Sequence, residues 1–154
     1  MKPGLGWLLT VGVVMNAAEP PVVQFRNVAE AAGIRFVIDN APTPQKYMIE
    51  TMSGGMAAFD YNGDGRTDLF FTNGAALPAM KKEGPRYWNR LYRNEGGMRF
   101  TDVTESAGLA GEGYAMGAAA ADFDNDGWVD VFVANVGNSR LYRNLGNGKF
   151  EDVT

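Results

Sequence analysis

The stretch Asp60-Tyr61-Asn62-Gly63-Asp64-Gly65-Arg66-Thr67-Asp68 places oxygen-bearing side chains at its first, third, fifth and ninth positions around a glycine at the sixth. The pattern recurs in Asp122-Phe123-Asp124-Asn125-Asp126-Gly127-Trp128-Val129-Asp130. Alternate side chains aimed inward from a tight loop suit Ca²⁺, which takes about six to eight hard oxygen ligands. Gly65 and Gly127 permit a turn that a Cβ would obstruct, and Gly63 and Asn125 tolerate positive φ. The seventh position would contribute a backbone carbonyl, leaving the side chains of Arg66 and Trp128 free to vary. Two Ca²⁺ sites are therefore expected. One uses Asp60, Asn62, Asp64, the Arg66 carbonyl and Asp68; the other uses Asp122, Asp124, Asp126, the Trp128 carbonyl and Asp130. Asx-rich turns without metal are the alternative, but seven carboxylates crowded into two short loops repel one another unless a cation joins them. The bidentate Glu that ends an EF-hand loop is absent, since Phe71 and Val133 occupy position twelve.

Each loop runs into a short β-branched and aromatic segment, Asp68 to Asn73 and Asp130 to Asn135, which reads as a buried strand rather than the outgoing helix of an EF-hand. Self-comparison extends the repeat. Asn89-Arg90-Leu91-Tyr92-Arg93-Asn94 returns as Ser139-Arg140-Leu141-Tyr142-Arg143-Asn144, and Phe100-Thr101-Asp102-Val103-Thr104 as Phe150-Glu151-Asp152-Val153-Thr154. These lie fifty positions apart and the acidic loops sixty-two, so about twelve residues are inserted within 75–86. A third copy of the last element, Phe25 to Ile34, aligns with Phe100 to Leu109.

One repeat unit reads as four strands: Ala115 to Phe123, the Val-Phe-Val segment, the Arg-Leu-Tyr-Arg segment and the closing Phe-x-Asp-Val-Thr. Four short antiparallel strands every forty to fifty residues describe a β-propeller blade. The fold expected is all-β, a partial propeller of two four-stranded antiparallel blades with an orphan N-terminal outer strand. In order come a signal peptide (1–18), the outer strand and turn of a neighbouring blade (19–34), a connector (35–55), blade 1 (56–104, with its insertion 75–86) and blade 2 (105–154). Propellers close with about four to eight blades, so further blades are expected downstream of Thr154.

Lys2, the apolar run Leu5 to Met15 and the small residues Ala17 and Ala18 match a secretory leader. The expected location is secreted, periplasmic or cell-surface, with no membrane span once the leader is removed. With no Cys and no His, the chain has no thiol nucleophile, no disulfide, no Cys/His zinc site and no His-based triad. Its net charge is −4, or −5 once Lys2 leaves with the leader, and two Ca²⁺ would bring the remainder to about −1. No basic stripe invites nucleic acid; Arg90, Arg93, Arg140 and Arg143 read as a solvated strand edge.

Taken together, Gly54 to Gly65, Arg90 to Asn94, Phe100 to Leu109 and Gly117 to Gly127 resemble the FG-GAP/VCBS repeat proteins, most closely the bacterial cartilage-acidic-protein-like group with a carboxy-terminal ASPIC/UnbV domain. The resemblance covers about Val22 to Thr154. It implies a secreted calcium-binding propeller for adhesion or recognition, similar in blade design to the integrin α-subunit head, and the ten loop positions above match the family's metal positions. The missing ASPIC/UnbV segment and blades are departures from the pattern.

Structural calcium in a module that recognises an extracellular protein or glycan is the leading reading. Insertions 34–47 and 75–86 are candidate contact surfaces, with Tyr87 and Trp88 either an aromatic anchor or packing against their own blade. The alternative is a carbohydrate-binding propeller or a polysaccharide-active enzyme. Catalysis needs an acid/base pair that stands apart from the repeat, whereas these carboxylate clusters recur at equivalent positions. A non-enzyme is expected, with no catalytic residues.

Overall fold

Gly55 and Gly117 decide how the two halves of the molecule meet. An added Cβ on Gly55 would stand 2.5 Å from the Gly117 Cα, so the residue that leads into the first strand of one sheet meets the first strand of the other backbone to backbone. The computed structural model describes residues 22–52 and 54–154. Within them lie two four-stranded antiparallel sheets, each in simple sequential order. Sheet one is β1 (Met56–Phe59), β2 (Asp68–Phe71), β3 (Arg90–Gly96) and β4 (Arg99–Asp102). A short helix, α1 (Thr104–Ala107), leads to sheet two: β5 (Tyr114–Ala121), β6 (Asp130–Val136), β7 (Arg140–Asn144) and β8 (Phe150–Asp152). The architecture is all-β, and the two sheets form adjacent partial-propeller blades without a closed ring. The signal-peptide expectation lies outside the described residues. Among those described, no helix is long and apolar enough to cross a membrane.

Alternation along the second strand of each sheet builds the core. Val131 and Val133 are fully buried and share one cluster with Phe70, Leu91, Phe59 and Ala57 of the first sheet. Phe70 is 0 % exposed in that interface, whereas its counterpart sixty-two positions later, Phe132, is 43 % exposed on the other face of sheet two. On the outer face of sheet one, Phe71 stacks on Phe36 at 4.9 Å.

The recurring Arg-Leu-Tyr-Arg and Asp-Val-Thr segments form one clip, made twice. Thr104 Oγ1 donates to Asp102 Oδ1 and accepts the Leu91 N–H at 3.0 Å; Thr154 does the same with Asp152 and Leu141 (2.9 Å). The Val103 and Val153 amides donate to the carbonyls of Leu91 and Leu141, both at 2.9 Å. Arg90 and Arg140 pair with Asp102 and Asp152 at 3.4 and 3.5 Å. The arginines at these two positions thus fasten the outer strand instead of simply edging it.

Two expectations need adjusting. Phe25 to Val28 belongs to no strand, because it has no pairing partner among the described residues, and Phe25 is 98 % exposed. The turn that follows does repeat α1: Ala32, Gly33 and Ile34 donate to Val28, Glu30 and Ala29, as Ala107, Gly108 and Leu109 donate to Val103, Glu105 and Thr104. Gly33 and Gly108 both take positive φ, and a Cβ on either would press on the carbonyl of Phe100 or Phe150, so each turn caps the outer strand of the blade that follows it. The first strand of blade 2 spans Tyr114–Ala121 rather than 115–123. It stops early because the Phe123 N–H is taken by the Asp130 carboxylate and not by the ladder.

Candidate metal centre

Both acidic loops connect the first two strands of a blade, so they sit at the same end of the two sheets. Asp60 opens the first loop as an Asx turn: Oδ1 accepts the N–H groups of Gly63 (2.8 Å) and Asp64 (3.2 Å), and Oδ2 accepts that of Gly65 (2.7 Å). Asp122 repeats this with Asp126 (3.1 Å) and Gly127 (2.9 Å). Positive φ at Gly63, Gly65, Asn125 and Gly127 turns the backbone as the spacing requires.

The ninth-position aspartates are the deepest part of each loop. Asp68 is 0 % and Asp130 is 1 % exposed. Asp68 accepts from the amides of Tyr61 (3.0 Å) and Asn94 (2.7 Å), and Asp130 from those of Phe123 (3.0 Å) and Asn144 (2.7 Å). Each carboxylate therefore fastens the start of its loop to the third strand. Burial raises the Asp68 carboxyl above its ordinary value, against the lowering effect of these two N–H groups. The partner asparagines complete the clip, Asn94 Nδ2 donating to the Thr67 carbonyl (2.9 Å) and Asn144 Nδ2 to that of Val129 (3.1 Å).

The loops differ in what they assemble. In the second, Asp122, Asp124 and Asp130 each bring a carboxylate oxygen within 4.8 Å of the others, close enough to hold a metal ion together. It is the one such group of three among the described residues. Asp126 stands beside it, bound to the Trp128 amide (2.9 Å) and to Arg143 (3.2 Å), and Arg143 also pairs with Asp124 at 2.8 Å. In the first loop, Asp64 is drawn to the Arg66 guanidinium at 2.5 Å and to the Asn62 amide at 2.9 Å, and both contacts lower its carboxyl below the usual value, the Asn62 contact most. Arg93, the counterpart of Arg143, turns to Glu95 at 2.7 Å.

Sequence reasoning missed two things here. Arg143 is a cation placed against the acidic loop, and its trace was an arginine recurring in a strand that faces an excess of carboxylates. The seventh-position side chains are also engaged: Arg66 Nε donates to the Asn94 carbonyl at 2.7 Å. The Trp128 indole lies between the blades, against Gly63 of the first loop and Gly146 of the β7–β8 hairpin. Tyr61, buried in the first loop, stacks on Phe150 at 6.3 Å, and its carbonyl accepts from Asn144 Nδ2 at 2.8 Å.

The donor set is all oxygen, three carboxylates converge, and left-handed residues shape the loop, so the second site fits a hard divalent cation. No curated protein matches the chain. A family model described as an FG-GAP-like repeat matches residues 60–133 and again 122–154, so that each match begins on the first aspartate of an acidic loop and the two together cover more than half of the chain. With these two overlapping matches, the chain belongs to the FG-GAP-like repeat family.

Proposed function

We propose that these blades belong to a secreted or cell-surface recognition propeller in which Ca²⁺ is structural, and that its adhesive or ligand contacts lie away from the metal loops. The observation that carries the reading is the convergence of Asp122, Asp124 and Asp130 in a loop that joins two strands. Asp126 and the Trp128 carbonyl would complete that site. Asp60, Asn62, Asp64, Asp68 and the Arg66 carbonyl would form its equivalent in blade 1. A bound cation would neutralise the repelling carboxylates and lock the loop that Trp128 and Tyr61 couple to the neighbouring blade. Recurrence of the same acidic sequence pattern in each blade supports a scaffold metal over a catalytic one. The exposed Phe132 favours further blades, since its blade 1 counterpart is covered by a sheet. An ASPIC/UnbV-type segment would accompany them in the full protein.

The test is thermal unfolding of the chain in EGTA and in millimolar Ca²⁺. Calcium should raise the midpoint, and Asp124→Ala combined with Asp126→Ala should remove most of the rise. A midpoint that ignores Ca²⁺ in the parent refutes the metal reading. The burial of Tyr87, whose ring Arg86 covers at 4.7 Å, supports packing on its own blade over a role as an aromatic anchor.

A further inference from the structure

One exchange between the repeats decides where the last arginine of Arg-Leu-Tyr-Arg points. In blade 1, Arg93 donates from Nε and Nη2 to Glu95 Oε1 at 3.0 and 2.7 Å, two residues along its own chain. Fifty positions later the same pair reads Arg143 and Leu145, so the second arginine has no such carboxylate. It crosses to the acidic loop instead, with Nε 2.8 Å from Asp124 Oδ2 and Nη2 3.2 Å from Asp126 Oδ2. The Nε contact is one of charge alone: this buried nitrogen is not aligned with the carboxylate and has no hydrogen-bond partner among the described residues. Arg143 is therefore held on the loop by attraction, at the cost of one unsatisfied donor.

Asp126 shows what the guanidinium does to the loop. Its Oδ1 accepts the Trp128 N–H at 2.9 Å and its Oδ2 accepts Arg143 Nη2, so both oxygens are engaged, and Asp126 stays outside the group formed by Asp122, Asp124 and Asp130. A divalent ion that draws Asp126 in and binds Asp124 meets a positive charge at both carboxylates, and a guanidinium carries donors only. Arg143 can yield to it. Its side chain is 44 % exposed, ion pairs at such a surface are weak, and in solvent its Nε gains water.

We propose that Arg143 is a tethered cation that competes with a divalent ion for Asp124 and Asp126, and that Leu145 aims it there, so these two residues set the affinity of the second loop. The proposal rests on the metal reading above and deepens it. Its test is a Ca²⁺ titration of the whole chain followed by the ¹⁵N amide shifts of Gly127 and Gly65, which report the two loops separately. Arg143→Gln should lower the Gly127 midpoint about three- to tenfold and leave that of Gly65 in place. Leu145→Glu, which supplies the carboxylate that Arg93 has, should lower it in the same direction and shift the Arg143 Nε–H signal in EGTA. Combining the two should add nothing beyond Arg143→Gln, because the introduced carboxylate acts through the arginine. Spectra in EGTA that match the parent outside β7 and the second loop show that each variant is folded. A Gly127 midpoint unchanged or raised in Arg143→Gln would make Arg143 a bystander or a support for the ligands, and additive effects of the two substitutions would show that Leu145 does not aim it; either overturns the proposal while the parent's calcium response leaves the metal reading standing. If neither parent nor Arg143→Gln responds to Ca²⁺, the metal reading itself falls and the proposal with it.

Discussion

Asp130 holds two roles that one substitution series can separate. Its carboxylate is 1 % exposed and accepts the backbone N–H groups of Phe123 at 3.0 Å and Asn144 at 2.7 Å, while also facing Asp122 and Asp124. Asp130→Ala leaves both amides without a partner in a buried place, and at about 1–3 kcal/mol each the expected loss is about 3–5 kcal/mol even without metal. For a chain of 154 residues that is roughly 9–15 °C of midpoint. Asp124 is exposed and its contact is the ion pair with Arg143, so Asp124→Asn should cost no more than about 1 kcal/mol in EGTA. In saturating Ca²⁺ the order is kept and a shared loss is added. Both variants should forfeit the metal-linked stabilisation, which is about 2.7 kcal/mol when the ion is at a hundred times its dissociation constant. The assay is urea or thermal unfolding of parent, Asp124→Asn and Asp130→Ala in EGTA and in Ca²⁺. If Asp130→Ala is no less stable than Asp124→Asn in EGTA, the buried aspartate is not a structural clip and the reasoning from its hydrogen bonds fails.

Three further outcomes follow from the geometry. Gly146 has a φ of +69°, and an added Cβ would sit 2.7 Å from Trp128 Nε1, so Gly146→Ala should destabilise by about 1–3 kcal/mol and change the tryptophan emission as the indole is displaced. Thr104→Val removes the hydroxyl that accepts the buried Leu91 N–H and should cost about 1–3 kcal/mol in chemical denaturation, more than Thr154→Val, whose position is exposed. Burial pushes the Lys82 ammonium down to about 7, while its three carbonyl partners favour the charged form. Since free lysine titrates near ~10.4, the unfolded chain holds more protons than the fold between those values, and stability should rise with pH from 7 toward 10. In Lys82→Met that rise should vanish, and identical pH profiles for the two proteins would show that the carbonyls offset burial.

The repeat made most of this fold legible. Offsets of sixty-two and fifty residues located every strand pair, and an offset of seventy-five located the α1-like turn at Ala29 to Gly33, whose hydrogen bonds match one for one. Paired segments carry this information because each blade solves the same packing problem with the same residues. What stayed hidden depends on neighbours that no spacing encodes. The ninth-position aspartate reads as a ligand because oxygen at that position suits a metal; that it also bonds two backbone amides follows only from where β3 and β7 lie. Lys82 looks like part of a polar surface excursion, yet the insertion folds back so that its ammonium reaches three carbonyls. Asn135 and Asn73 are equivalent in sequence, yet Asn73 Oδ1 takes the Asp39 N–H of the long connector before β1, which has no counterpart of that length before β5.

The two acidic loops are not independent sites. Trp128 leaves the second loop to rest on Gly63 in the first, and Asn144, whose amide nitrogen binds Asp130, reaches with its side chain to the carbonyl of Tyr61. Any ion that fixes the second loop thereby restrains the first through an indole and a buried amide, both of which resist small displacements in a packed interior. The restraint also runs along the inter-blade core, since Tyr61 shares the cluster of Phe150, Val131 and Leu91. A metal in one blade would then stiffen the junction with its neighbour. An ion in the second loop is thus expected to act on the first through the blade interface, and the coupling is bounded by how far that interface can move.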